Sequence, residues 1–145
     1  MRCMTQLSGL EFLEAIGRGD LPPAPMATLL GIEPVEVSPG RAVFAGVPSD
    51  EHYNPMGTVH GGYAATILDS AMGCAVHTTL PAGSSYTTLE LSVNLVRAIT
   101  AGTGPVRAEG LVLHAGRRVA TAEGRLIAEH SGKLLAHGTT TCVIS

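Results

Sequence analysis

The chain has little charge and few aromatic rings. Asp, Glu, Lys and Arg make up 14% of its 145 residues and aromatics 3%, with no tryptophan at all. It has no basic tract, and the formal net charge is −3, so the electrostatic footprint of a nucleic-acid binder is missing. No run approaches the ~18 apolar residues of a membrane-spanning helix. Glu11 and Glu14 interrupt what would be the apolar region of a secretory signal, so a soluble, cytoplasmic protein is expected. Cysteine is sparse and scattered: Cys3, Cys74 and Cys142 form no CxxC pair and indicate neither a disulfide framework nor a zinc ribbon. The histidines show no HxxxH spacing. No metal site is expected.

What the chain does have is apolar residues, at 45%. That is a globular composition, and the length fits one domain with one modest core. So small a protein with so little charge has surface to hide, which points to burial against copies of itself.

Residues 7–17 carry Leu10, Phe12, Leu13 and Ile16 at helical spacing, ending at Gly17 and Gly19. A proline-rich connector over 21–25 precedes one further helical turn at 26–30. Residues 1–27 thus read as an N-terminal helix and connector, and 28–145 as the main domain. From Gly31 the pattern becomes a hairpin: Ile32, Val35 and Val37, a Ser38-Pro39-Gly40 turn, then alternation over 41–47. After a polar loop over 48–59, residues 60–80 form the one long helical candidate. Four strands complete the chain, one around 89–95, then 106–113, 119–129 and 134–144. The short turns joining the last three require antiparallel pairing. The fold class is α+β, one sheet with one principal helix.

That helix is rich in Ala, Ile, Leu, Met and Val and reads as buried on all sides. Its single carboxylate, Asp69, is costly there unless satisfied. It is either a structural group bonded to Thr66 or Ser70, or a working one. Ala65, Thr66, Met72 and Gly73, one turn away, leave room beside it. The helix begins His60-Gly61-Gly62, where free N–H groups and a partial positive charge could polarise a carbonyl. Equally, the glycines could serve only tight packing. Gly61 and Asp69 stand eight residues apart, about 12 Å along the axis, too far to share one carbonyl comfortably. Two antiparallel copies of the helix would bring Gly61 of one chain to Asp69 of another.

The run Asn54-Pro55-Met56-Gly57-Thr58-Val59-His60-Gly61-Gly62, then Asp69, then Tyr86-Thr87-Thr88-Leu89-Glu90-Leu91-Ser92-Val93-Asn94, resembles the PaaI-type hotdog-fold acyl-CoA thioesterases. The segment 113–120 with Gly116, Arg117 and Arg118 looks similar too, and the resemblance covers roughly 28–144. It implies a sheet of five to six antiparallel strands wrapped around one long helix, a homodimer with shared sites, and often a tetramer. It implies hydrolysis of an acyl-CoA thioester to a carboxylic acid and free CoA without metal or covalent cofactor.

Carried onto this chain, the Gly61 N–H polarises the carbonyl, with Asn54 and His60 helping to place it. Asp69 of the partner activates water or attacks directly. A strand hydroxyl, Thr88 by the ungapped match or Thr87 by the face it shares with Leu89 and Leu91, orients the water. Gly62, Arg97, Gly116, Arg117 and Arg118 are the candidates for CoA. Many relatives have proline where Ala98 follows Arg97. Cys74 reads as a core residue, not a nucleophile. An enoyl-CoA hydratase on the same fold and a non-catalytic acyl-CoA binder are the alternatives.

Overall fold

The computed structural model describes residues 6–145. In chain order the elements are α1 (Gly9–Gly17), α2 (Pro25–Leu30), β1 (Ile32–Ser38), β2 (Arg41–Gly46), α3 (Gly61–His77), β3 (Tyr86–Leu95), β4 (Val106–Ala115), β5 (Val119–Ala128) and β6 (Leu134–Ile144). Single 3₁₀ turns lie at Asp50–His52 and Ala101–Thr103. The six strands form one antiparallel sheet in the order β1-β2-β4-β5-β6-β3. Successive strands joined by short turns are neighbours. β3 is not beside β2, because α3 intervenes and carries the chain to the far edge.

The core lies between α3 and the sheet. Ile67, Leu68, Met72 and Val76 are fully buried there, with Val106, Leu126 and Leu135 opposite. Each such side chain contributes about 1.5–3 kcal/mol when taken from water. A row of paired glycines lets the layers close: Gly110 faces Gly124, and Gly124 faces Gly138, across β4, β5 and β6. A methyl at Gly110 would run into the Ala71 backbone, and one at Gly124 would stand 2.9 Å from Met72 Cγ. At Gly138 it would strike the Ser92 carbonyl of β3. The helix and the edge strand therefore sit closer to the sheet than any side chain in this row would allow.

The ends of α3 differ from the expected 60–80. His60 is its cap, and the α-helix stops at His77. There the Thr78 hydroxyl donates to the Ala75 carbonyl and accepts from the Gly40 N–H, pinning the helix end to the β1–β2 turn. Thr79 and Leu80 then bond carbonyls three residues back, a tightened last turn before Pro81. α1 begins with a capping box, Ser8 with Glu11, and Gly9 donates its N–H to the Leu80 carbonyl.

α3 is also not apolar on all sides. Gly62 is exposed, and Ala65, Thr66, Asp69 and Ser70 are half-buried, a continuous stripe at helical spacing turned away from the sheet. These residues are small or polar, which the overall count of apolar residues obscured. Cys3 lies outside the described residues; Cys74 and Cys142 are both free thiols. No helix among the described residues is long and apolar enough to cross a membrane.

Candidate active site

The first turn of α3 is held by an unusual cap. His60 Nδ1 accepts the Gly62 N–H at 2.8 Å, a role more often given to Ser, Thr, Asp or Asn. A methyl at Gly62 would stand 2.9 Å from that nitrogen, so the second glycine makes room for the imidazole. The Gly62 amide is thereby committed, and it is not the free donor expected of it. The Gly61 N–H, first in the helix, takes no part in the cap bonds. Gly61 lines a cleft of about 290 Å³ together with Asn54, Thr58, His60, Ala64, Leu95 and Arg97, among others. Arg97, from the loop after β3, is thus brought beside the predicted donors. Leu95 was not anticipated: a methyl on Gly61 would lie 2.7 Å from Leu95 Cδ1, so this side chain is the apolar wall next to the amide.

Asp69 is absent from that cleft. It sits two turns further along α3, half-buried, and accepts a hydrogen bond from Thr88 Oγ1 at 2.9 Å. It is Thr88, not Thr87, that reaches Asp69, and a β-bulge is the reason. Thr88 pairs with Cys142, but Glu90 pairs with Thr141, leaving Leu89 as an extra residue. Cys142 and Thr140 face the helix and are buried, so their partners Thr88 and Leu91 share the helix side although they are three apart. Strict alternation, which grouped Thr87 with Leu91, fails at that residue. Neither Thr66 nor Ser70 bonds Asp69: the Thr66 hydroxyl donates to the Gly62 carbonyl.

Of the four residues expected to leave room beside Asp69, Met72 and Gly73 do not. Met72 points into the sheet core. The space over Gly73 is filled by the ring of Tyr86, 2.8 Å from where a methyl would be. Tyr86 also packs against His77 in a tilted arrangement, with ring centres 5.5 Å apart. Burial drives the Tyr86 phenol well above its usual range, with Cys74 and Asp69 adding to the effect. Burial likewise pushes the Cys74 thiol up to about 12, so it stays a neutral core group as expected. The open side of the carboxylate is the Ala65–Thr66 stripe, toward solvent.

Gly116, Arg117 and Arg118 form the β4–β5 turn, at the end of the sheet where β6 finishes and β3 starts. Both arginines are exposed, and the Arg118 carbonyl accepts from the Ile144 N–H. They belong to the Asp69 half of the molecule, while Arg97 belongs to the Gly61 half. Among the described residues no three of His, Cys, Asp or Glu lie together as a metal site would need. Thr58 was also missed by sequence reading, though Asn54-Pro55-Met56-Gly57 is a turn signature whose side-chain bonds could have been looked for.

The profile of the Thioesterase superfamily matches residues 56–135. Human acyl-coenzyme A thioesterase 13 is 28% identical over 107 residues, which cover 74% of this chain and 75% of that one. A phenylacetic acid degradation-related protein of Ralstonia eutropha superposes with a TM-score of 0.81 at 32% identity, covering 90% of this chain and 98% of its own. The phenylacetic acid degradation protein PaaI of Thermus thermophilus, in a mutant form, superposes with a TM-score of 0.74 at 31% identity, over 83% and 98%. The matches span 44% to 75% of the length of the curated relatives. An antiparallel six-stranded sheet packed on one long helix, together with these likenesses, identifies the chain as a PaaI-type, hotdog-fold member of the thioesterase superfamily, a family of thioester hydrolases.

Proposed function

We propose that this protein hydrolyses an acyl-CoA thioester to a carboxylic acid and free coenzyme A, in sites shared between two copies of the chain. The observation that carries the reading is the separation just described. Asp69 does not line the cleft that Gly61 lines, and it is presented, with its Thr88 hydrogen bond, on a small-residue stripe facing outward. Antiparallel α3 helices would put the partner subunit's Asp69 opposite that amide.

In this mechanism the Gly61 N–H takes the charge that develops on the carbonyl oxygen, assisted by Asn54. The partner subunit's Asp69 activates water or attacks the carbon itself, and the partner's Thr88 holds the carboxylate and orients the water. A thioester is an activated acyl group, so these parts suffice. His60 fixes the helix turn that presents Gly61. Arg97 on one chain and Gly116, Arg117 and Arg118 on the other would hold the CoA phosphates at the two-chain boundary. Pairing the dimer again into a tetramer would cover further surface. A panel of aryl and aliphatic acyl-CoA substrates with thiol detection tests the reading. Thiol release is expected for at least one class; hydration of crotonyl-CoA without thiol release would replace it with a hydratase.

A further inference from the structure

Asn54 is held more firmly than a loop residue needs to be. Its Oδ1 accepts from the Met56 N–H at 2.9 Å and from the Thr58 N–H at 3.3 Å. Its Nδ2 donates to Thr58 Oγ1 at 2.9 Å. Two main-chain bonds close the turn: the Asn54 N–H donates to the Thr58 carbonyl at 2.8 Å, and the Gly57 N–H to the Asn54 carbonyl at 3.3 Å. Gly57 sits at φ +87°, a conformation that a side chain disfavours. The two accepted N–H bonds fix which end of the amide is oxygen. The Thr58 hydroxyl then fixes the rotation of the plane by taking one of the two Nδ2 hydrogens. Among the described residues no hydrogen bond uses the other. Both residues line the cleft that Gly61 lines.

We infer that Thr58 is a positioning residue: its hydroxyl locks the Asn54 amide so that the second Nδ2–H is aimed at the carbonyl that Gly61 polarises. The inference rests on the acyl-CoA hydrolysis proposed above. It separates two roles within one turn, with Asn54 meeting the substrate and Thr58 acting only through Asn54. A donor free to rotate would have to be ordered during the reaction, whereas a locked one stabilises the developing charge without that cost.

Steady-state kinetics of T58V, T58S, N54A and the N54A/T58V double variant decide the matter. Valine keeps the shape of threonine and removes the hydroxyl. T58V is expected to lower kcat about tenfold with KM within about twofold, the size of one lost hydrogen bond felt in the transition state. T58S should restore kcat to within about twofold of the wild type, and in the N54A background T58V should cause no further loss. T58A replaces T58V if the latter does not fold. Near-normal turnover of T58V, or an equal loss with and without the Asn54 amide, would overturn the inference and leave Thr58 as mere loop support. A wild-type protein that releases no thiol from any acyl-CoA fails at the earlier step, and takes the proposed function down together with this inference.

Discussion

At one edge of the sheet β1 is seven residues long, carries Pro34, Glu33 and Glu36, bends at a bulge after Pro34, and has α1 beside residues 34–37. At the other edge β3 is ten residues long, contains no proline, and leaves Leu89 65%, Leu91 37% and Leu95 58% exposed. The first edge has nearly every device that stops a strand from recruiting another: brevity, proline, charge, a kink and a cover. The second, despite its bulge at Leu89 and its one acid, Glu90, has a long and largely apolar border with no covering helix. One chain thus protects one edge and leaves the other ready for a partner, and the ready edge is also the strand that delivers Thr88 to Asp69. On the proposed reading, assembly and chemistry would fall on the same ten residues.

Breaking the open edge should have the largest effect. Leu89→Lys with Leu91→Lys puts charge on β3; sedimentation should show monomers, and acyl-CoA hydrolysis should fall by at least about 10³-fold, since neither site is then complete. Asp69→Asn should leave assembly unchanged while lowering kcat at least ~100-fold with little change in KM, measured by thiol release. Near-normal turnover there would remove Asp69 from the mechanism. Thr88→Ala should cost about tenfold in kcat, the worth of one hydrogen bond to a carboxylate, again as a dimer. On the closed edge, Val35→Lys should change neither assembly nor activity and shift stability by less than about 0.5 kcal/mol in urea unfolding.

The smallest expected effect belongs to the ion pairs behind β1. Arg41 bridges Glu36 at 2.9 Å and Glu109 at 2.8 Å, and Arg107 reaches Glu36 at 3.0 Å. Hydrogen bonds from Arg41 and then Arg107 hold the Glu36 carboxyl below its ordinary value of 4.5. A lowered folded pKa contributes stability above the unfolded value, and the contribution is lost as pH falls through the folded one. Glu36→Gln should therefore melt slightly lower than wild type at pH 7, and the gap should close on acidification below the ordinary carboxylate range and shrink in high salt.

The element order was readable in the sequence because hydrophobic period and turn residues are local signals. Alternation over Leu89, Leu91, Val93 and Leu95 marked a strand, and the Ala-rich run after His60 marked the helix. The polar stripe on α3 was hidden because a residue count does not say which direction a side chain takes. Asp69 stood out as the lone acid. Its true partner, Thr88, could not be chosen by alternation, since only pairing with β6 reveals the residue that breaks it. His60 as a cap, Thr58 as a clasp and Tyr86 over Gly73 depend on contacts between segments, which a linear pattern does not carry. The three strand glycines had the same fate: each is explained by what lies across from it.

Leu89 has a consequence for any attempt to edit or graft this strand. Before it the inward side chains fall on even numbers, Tyr86 and Thr88; after it they fall on odd ones, Leu91, Val93 and Leu95. Deleting one residue between Thr88 and Leu91 would merge the two frames, and then either the hydroxyl or the three apolar groups must turn to the opposite side. A single-residue slip here cannot be silent: it sacrifices the Thr88–Asp69 hydrogen bond or the inward apolar row that ends at Leu95, and a transplanted strand that lacks the spare residue inherits only one of them.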